Sequence, residues 1–544
     1  MILLLSTLTT YAPILFRRDT DAQWAKVILL GIILASGSSA YRLGASLQAL
    51  STPGGSIASL FGISLGLSSL SLASIFIAAK GSLRFASPWS RVTLFPAIWA
   101  TLWCIVSHIN PVGYLATWSI AKNTDVYNWI TPYVGPAGKD WVVAAWAIVV
   151  SETLTQWFME PQDGEYGPLL SSAPRILCNS KSTKILGILL TILFVPSIIQ
   201  PNLPPLVSNI DTRTPLSVGC VLPSYQTYKK HVLSFDDYFT ETKKLASMAR
   251  VILWPEGAVT FNSVQERDHA FASIRTNLQH KIYIGVSFEE TVSDPVDPTG
   301  RTSMTRTGLA VISAASSTPH LVYYKRHLVP GGESFRLRHS GNEPTLFEGE
   351  LPRPNPVPKP DWGNAPNFTR PILMTSSICL DFAIPSPFAA LDRKPGLILA
   401  PARTWDRTVG HAMWLQAKQR AAELNTMILW CDGGEGGVSG VAGGGIEEVT
   451  QVGSGSFVRN IAIPHPFNSE RTVYARFGSL GLIFFWILIY VGAPQQSLAT
   501  AFHYMQVTTR RRQSMAAVAQ YRGGGTQVIE GPSVTEGDLL GIDQ

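Results

Sequence analysis

Three side chains in the middle of this 544-residue chain could do covalent chemistry together. Cys379 stands in "SSICLD", Glu256 in "VILWPEG" and Lys325 in "VYYKRHLVPGGE". A thiolate attacks carbonyl carbon well, but needs a base or a cation in order to form. A glutamate in a partly apolar pocket can accept that proton and return it. A lysine can lower the thiol pKa and, with a backbone N–H, stabilise a developing oxyanion. The N–H of Leu380, just past the nucleophile, is the natural donor. Taken singly, each residue has a plainer reading: a strand-end carboxylate, a solvated charge, a small buried hydrophobe.

These residues fall at strand ends in a segment where strands and helices alternate. "LSVGCVLP" reads as a short strand and 235–249 as an amphipathic helix. "RVILWPEGAV" is a buried strand ending at Pro255-Glu256. A helix around 264–279 and a strand "KIYIGVSFEE" follow, then "ILMTSSICLDFAIP", "GLILAPARTWD", a helix at 410–424 and "TMILWCDGG". Alternation of this kind predicts a layered α/β domain. The loop "LDFAIPSPFAALD" offers Phe382, Ile384 and Phe388 either to a bilayer or to the domain core. Asn367-Phe368-Thr369 is a glycosylation sequon, relevant in a eukaryotic secretory lumen.

The rest of the chain is of another kind. Only 15% of residues are charged, and they are scarce before residue 210 and between Arg476 and Arg510. A spanning helix needs about 20 mostly apolar residues. Spans are expected near 56–79, 92–109, 141–159, 185–200 and 477–493, with shorter ones at Met1–Phe16 and Val27–Tyr41. The first lacks the positive start and small-residue cleavage pattern of a signal peptide, so it reads as an anchor. Glu152 falls within the 141–159 run, where a carboxylate is either functional or close to a helix end. Counting loop charges, Arg17, Arg18, Lys26, Lys80, Arg84, Arg91, Arg175, Lys181 and Lys184 face Arg42, Lys122 and Lys139. That bias places the odd loops in the cytosol and the soluble domain outside or in a lumen. Arg510-Arg511-Arg512 after the last span agrees. The domains read as 1–207 with about six spans, 208–470 catalytic, 477–493 a final span, and 510–544 a disordered cytosolic tail.

The net charge of +6 comes with no basic face interleaved with aromatics, so no nucleic-acid partner is expected. The five cysteines (104, 178, 220, 379, 431) are scattered without a CxxC pair, so neither a disulfide framework nor a zinc site is expected.

In order and context, "WPEGA", "YYKRHLVPGGE" and "ICLD" resemble the three motifs of the carbon–nitrogen hydrolase (nitrilase) superfamily. The resemblance covers about 208–470. It implies an αββα sandwich with Glu256 as general base, Lys325 on the oxyanion side, Cys379 as nucleophile and Glu333 orienting the lysine. It also implies that the helix carrying Arg420 and Glu423 packs behind the site, and that no cofactor is needed. Several spans, this domain and one last span resemble the apolipoprotein N-acyltransferase branch. That likeness implies a phospholipid donor, a thioester on Cys379 and an amine acceptor such as a lipoprotein N-terminus. The chain departs from the branch in having Leu380 in place of an aromatic, Asp381 in place of Glu, and six leading spans rather than seven. It also has a proline-rich stretch at 351–371 and a glycine-rich one at 433–445. The competing readings are a membrane-tethered amidase or nitrilase using water, and a non-enzymatic membrane module. Lys325→Met and Glu256→Gln are each expected to lower turnover without loss of folding.

Overall fold

The computed structural model describes residues 1–16, 21–47, 52–119, 124–159, 180–199, 211–225, 232–278, 282–294, 303–354, 362–363 and 366–491. The 510–544 tail, its three arginines, Arg17, Arg18, Lys122, Arg175 and Cys178 lie outside them.

Apolar runs become helices α1 (Ile2–Leu15), α2 (Asp21–Ala40), α3 (Pro53–Ser82), α4 (Pro88–Ile109), α5 (Pro136–Met159) and α6 (Ser180–Ile199). Among the described residues, five segments are long and apolar enough to cross a membrane: Gln23–Ala40, Pro53–Ser82, Pro88–Ile109, Lys181–Ile199 and Val473–Tyr490. Helix α5 packs against α1, α4 and α6. Its Ala144, Ala145 and Ala147 are fully buried, as suits small side chains where helix backbones approach closely. Glu152 is buried inside α5 rather than at its end, and the neighbouring Ser151 hydroxyl meets that of Thr10 on α1 at 2.8 Å. Lys139 was counted above as a loop charge. It is a buried residue of α5, whose Nζ donates to Gln419 Oε1 at 2.9 Å. Its apolar neighbours made a helical lysine look like a flanking one.

Past residue 210 the chain builds two sheets. One holds β1 (Arg213–Cys220), β2 (Val251–Leu253), β3 (Val259–Phe261), β4 (Tyr283–Ser293), β5 (Ser303–Ile312), β6 (Leu321–Tyr324) and β13 (Phe457–Pro464). It runs β13–β1–β2–β4–β5–β6, with β3 paired to β4. The other holds β7 (Phe347–Pro352), β8 (Thr369–Ser376), β9 (Leu397–Ala402), β10 (Met427–Asp432), β11 (Val438–Gly443) and β12 (Ile446–Val452), in the order β12–β11–β10–β9–β8–β7. Alternation sorts the side chains. Val251 and Leu253 join the core between the sheets, whereas Ile252 and Trp254 face outward into a second cluster. Strands parallel to their neighbours are buried on both faces, so they read as continuous apolar runs. The outward cluster is covered by α7 (Phe235–Ala246) and α8 (Val264–Asn277). Helix α9 (Arg407–Leu424) covers β10 and β11 of the other sheet. The result is an αββα sandwich.

Local chemistry fixes the helix ends. Ser234 and Asp237 form a capping box at α7. Asp406 accepts from Thr408 N at 2.7 Å at the start of α9. Asn425 ends α9 in the left-handed conformation, which asparagine tolerates. After β13, Gly478 (φ +56) bends the chain before the last helix, α10 (Leu482–Val491).

One expectation is corrected here. Cys220 on β1 and Cys431 on β10 form a disulfide, Cα–Cα 5.7 Å, joining the two sheets. The cysteines are 211 residues apart in sequence. Only the packing of the two sheets brings them together, so spacing gave no hint.

Candidate active site

Lys325 follows the last residue of β6, its N–H tied to Thr307 O at 3.0 Å. The ammonium is wholly buried between two carboxylates. Nζ donates to Glu256 Oε1 at 2.7 Å and to both oxygens of Glu333, each at 2.7 Å. Glu333 is itself held by the Val329 N–H at 2.9 Å. Glu256 follows β2, and its N–H donates to Ala402 O at the end of β9. The site therefore forms only when both sheets are packed.

Cys379 follows β8 and opens a 3₁₀ turn, Cys379–Ala383. Its φ is +43, in the left-handed region where a non-glycine residue is strained. Such strain clusters at functional turns, held in place by the surrounding structure. The thiol is buried, and the Arg403 backbone amide lies near enough to favour its charged form. Glu256 and Lys325 both lie close enough to act on its charge.

The electrostatics divide the roles. Burial pushes the Glu256 carboxyl up to about 7, with Lys325 opposing. Lys325 is raised above its ordinary value: burial would lower it, but Glu256, Cys379 and Glu333 outweigh burial. Burial, then the Glu256 charge, pushes the Cys379 thiol well up, against the pull of Lys325. At rest this is a neutral thiol beside a charged lysine and a carboxyl poised near neutrality. Glu256 Oε2 is buried without a hydrogen-bond partner of good geometry among the described residues. It is an acceptor in waiting.

Asp381 is held differently from Glu256, Lys325 and Cys379. Oδ1 accepts from the His327 N–H and from His327 Nδ1, both at 2.8 Å, and Oδ2 accepts from Tyr323 OH at 2.7 Å. The Ile378 N–H also donates to it, at 3.3 Å. It ties the lysine strand to the nucleophile turn. Burial would raise its pKa, but bonds from His327 and Tyr323 hold it below the usual carboxylate value. Leu380 places its side chain in the core, and its N–H is the first amide past Cys379. Sequence reading missed Tyr323, His327 and the Arg403 amide. The first two share a signal, because Tyr323, Lys325 and His327 alternate along an extended segment and face one way.

The loop after the nucleophile also resolves. Phe382 and Phe388 fill the core: their rings meet at 5.8 Å, and Phe382 meets Trp430 edge-on at 5.4 Å. They are not presented outward, and only Ile384 is partly exposed. Behind the turn, Arg420 and Glu423 pair at 2.8 Å, both buried.

No family model matches the chain, and no curated protein matches it. Among solved structures it is similar to Nit3 of Saccharomyces cerevisiae, a member of branch 10 of the nitrilase superfamily. Identity is 13% and the TM-score 0.33, over 47% of this chain and 92% of that one. It is similar to NitN amidase from Neterenkonia sp. AN1 at 15% identity and a TM-score of 0.31, over 50% of this chain and 99% of that one. An N-terminal amidase aligns at 13% identity and a TM-score of 0.26, over 37% of this chain and 54% of that one. Scores this low leave the sheets, helices and side chains to speak for themselves.

Proposed function

We propose that the chain is a membrane enzyme of the carbon–nitrogen hydrolase type that moves an acyl group through a thioester on Cys379. The donor is a phospholipid and the acceptor an amine, such as a lipoprotein N-terminus. The observation that carries this reading is the buried cluster Glu256–Lys325–Glu333 beside a strained Cys379, on a chain whose described residues include five segments apolar enough to cross a membrane.

The steps balance as follows. The Cys379 sulfur attacks the ester carbonyl while Glu256 takes the thiol proton. The oxyanion is met by Lys325 and the Leu380 N–H. Collapse breaks the ester C–O bond, and Glu256 returns the proton to the departing alkoxide. The amine then attacks the thioester, Glu256 accepts its proton, and that proton goes back to the leaving thiolate.

Intact-mass spectrometry after incubation with phospholipid tests this. Wild type should carry a hydroxylamine-sensitive acyl adduct that Cys379→Ala lacks. Absence of the adduct, with cleavage of small amides instead, would replace the reading with a membrane-tethered amidase.

A further inference from the structure

The nucleophile turn rests on more than its own sandwich. The 3₁₀ turn Gly113–Ala116, in the connection after α4, lies against it. Gly113 has φ +54. A Cβ there would run into the Ala383 carbonyl oxygen, with its carbon at 2.7 Å and Ile384 Cα at 3.0 Å. All three are backbone atoms, so the turn backbone itself would have to yield. Asn110 braces this loop: its amide donates to Gly113 O at 3.2 Å and Ala116 O at 3.0 Å, and its carbonyl accepts from Val112 N at 2.9 Å.

Arg420, on α9, reaches the same turn. It is 0% exposed. Nη1 donates to Ile384 O at 3.1 Å, and Nη2 pairs with Glu423. The guanidinium lies 5.3 Å from the ring centre of Tyr114, next to Gly113, a cation–π distance. Nε has no hydrogen-bond partner among the described residues, and Nη2 meets Glu423 as an ion pair without hydrogen-bond geometry. A buried donor left unpaired is costly, so the arginine's position is dictated by Ile384, Glu423 and Tyr114 rather than by full satisfaction. From Glu423 the contacts continue through Gln419 at 3.3 Å to Lys139 on α5 at 2.9 Å.

We propose that the 110–117 loop and Arg420 form a seat for the Cys379–Ile384 turn, with Gly113 and Arg420 as positioning residues for the nucleophile. The helical region is then a structural part of the catalytic site, not merely its anchor. The proposal takes Cys379 as the nucleophile, as in the reading above.

The test uses the full chain in detergent or nanodiscs, and compares Gly113→Ala with wild type. Iodoacetamide alkylation of Cys379, followed peptide by peptide across pH, needs no substrate. In wild type the buried thiol should alkylate slowly, with a midpoint above that of an ordinary thiol. In Gly113→Ala the midpoint should move down towards about 8.5, the value of a free cysteine. Where the acyl adduct forms, its rate should fall on the order of 100-fold, the scale of a 1 Å misplacement, with KM for the donor held. Arg420→Lys keeps the charge but loses the planar fork. It should shift the midpoint the same way, and it serves if Gly113→Ala fails to fold. An unchanged Cys379 midpoint in folded variants overturns the seat, even if the melting temperature falls. Failure of wild type to form an acyl adduct, with the midpoint shift intact, counts against the acyl donor alone.

Discussion

At the residue scale, the pH behaviour rests on Glu256. Its carboxyl is pushed up to about 7 by burial, so the base is ionised only above that value. The rate of Cys379 acylation should therefore rise with pH and level off above about 7, since a general base works best near its own pKa. A profile that is flat between pH 5 and pH 9 would remove Glu256 as base. For stability the sign is reversed. A carboxyl whose folded pKa is raised contributes most below its unfolded value, and that share is lost as pH climbs through about 7. Glu256→Gln should lower the acylation rate by about 10²–10⁴, the scale of general-base catalysis. Lys325→Met is different, and the structure amends the expectation that it folds normally. It strands two carboxylates around a buried gap, and breaking such a pair by removing one partner costs about 3–5 kcal/mol. A lower melting temperature for Lys325→Met than for Glu256→Gln is the check.

At the element scale, one strand end and one turn carry the site. Tyr323, Lys325 and His327 project together, and Asp381 receives the first and third. Asp381→Asn should loosen that link. The aspartate's pKa is depressed in the fold, so its contribution is present above its unfolded value of about 3.8 and is lost only in stronger acid. The variant should therefore be less stable than wild type at pH 7, by about 1–3 kcal/mol for disrupted buried hydrogen bonds. Equal melting temperatures would show that Asp381 is dispensable to the turn. Much of this level was legible beforehand. Alternation and apolar runs gave β2, β8, β9, β10 and the helices near them, because strands buried on both faces announce themselves. What could not be read was contact between segments distant in sequence. Arg403, just past the neighbouring strand β9, acts on Cys379 through a backbone amide, which leaves no mark in side-chain types. Phe382 and Phe388 were left open between bilayer and core, because composition does not say which way a loop faces. Lys139 read as a flanking charge because its partner, Gln419, lies 280 residues away.

At the scale of the whole molecule, the Cys220–Cys431 bond bears on where the sandwich resides. Disulfides persist in oxidising compartments and are rare in the cytosol, so the bond would last only if the sandwich resides in such a compartment. Cys220→Ala, or reduction, should lower the stability of the sandwich by roughly 2–4 kcal/mol. Thiol counting of the denatured protein with and without reductant should differ by two, and equal counts would show that the bond does not form. The same architecture sets a schedule for synthesis. Strand β1 pairs along its whole length with β13, Arg213 opposite Pro464. The first strand made is thus completed by the last, and until Pro464 has left the ribosome β1 has an open edge. Unpaired edges invite mispairing, and chains normally fold domain by domain from the N-terminus as they emerge. Here the early helices can settle while the sandwich must wait. A chain halted anywhere short of residue 464 is an unfinished sheet, with β1 still open along the edge that β13 will occupy.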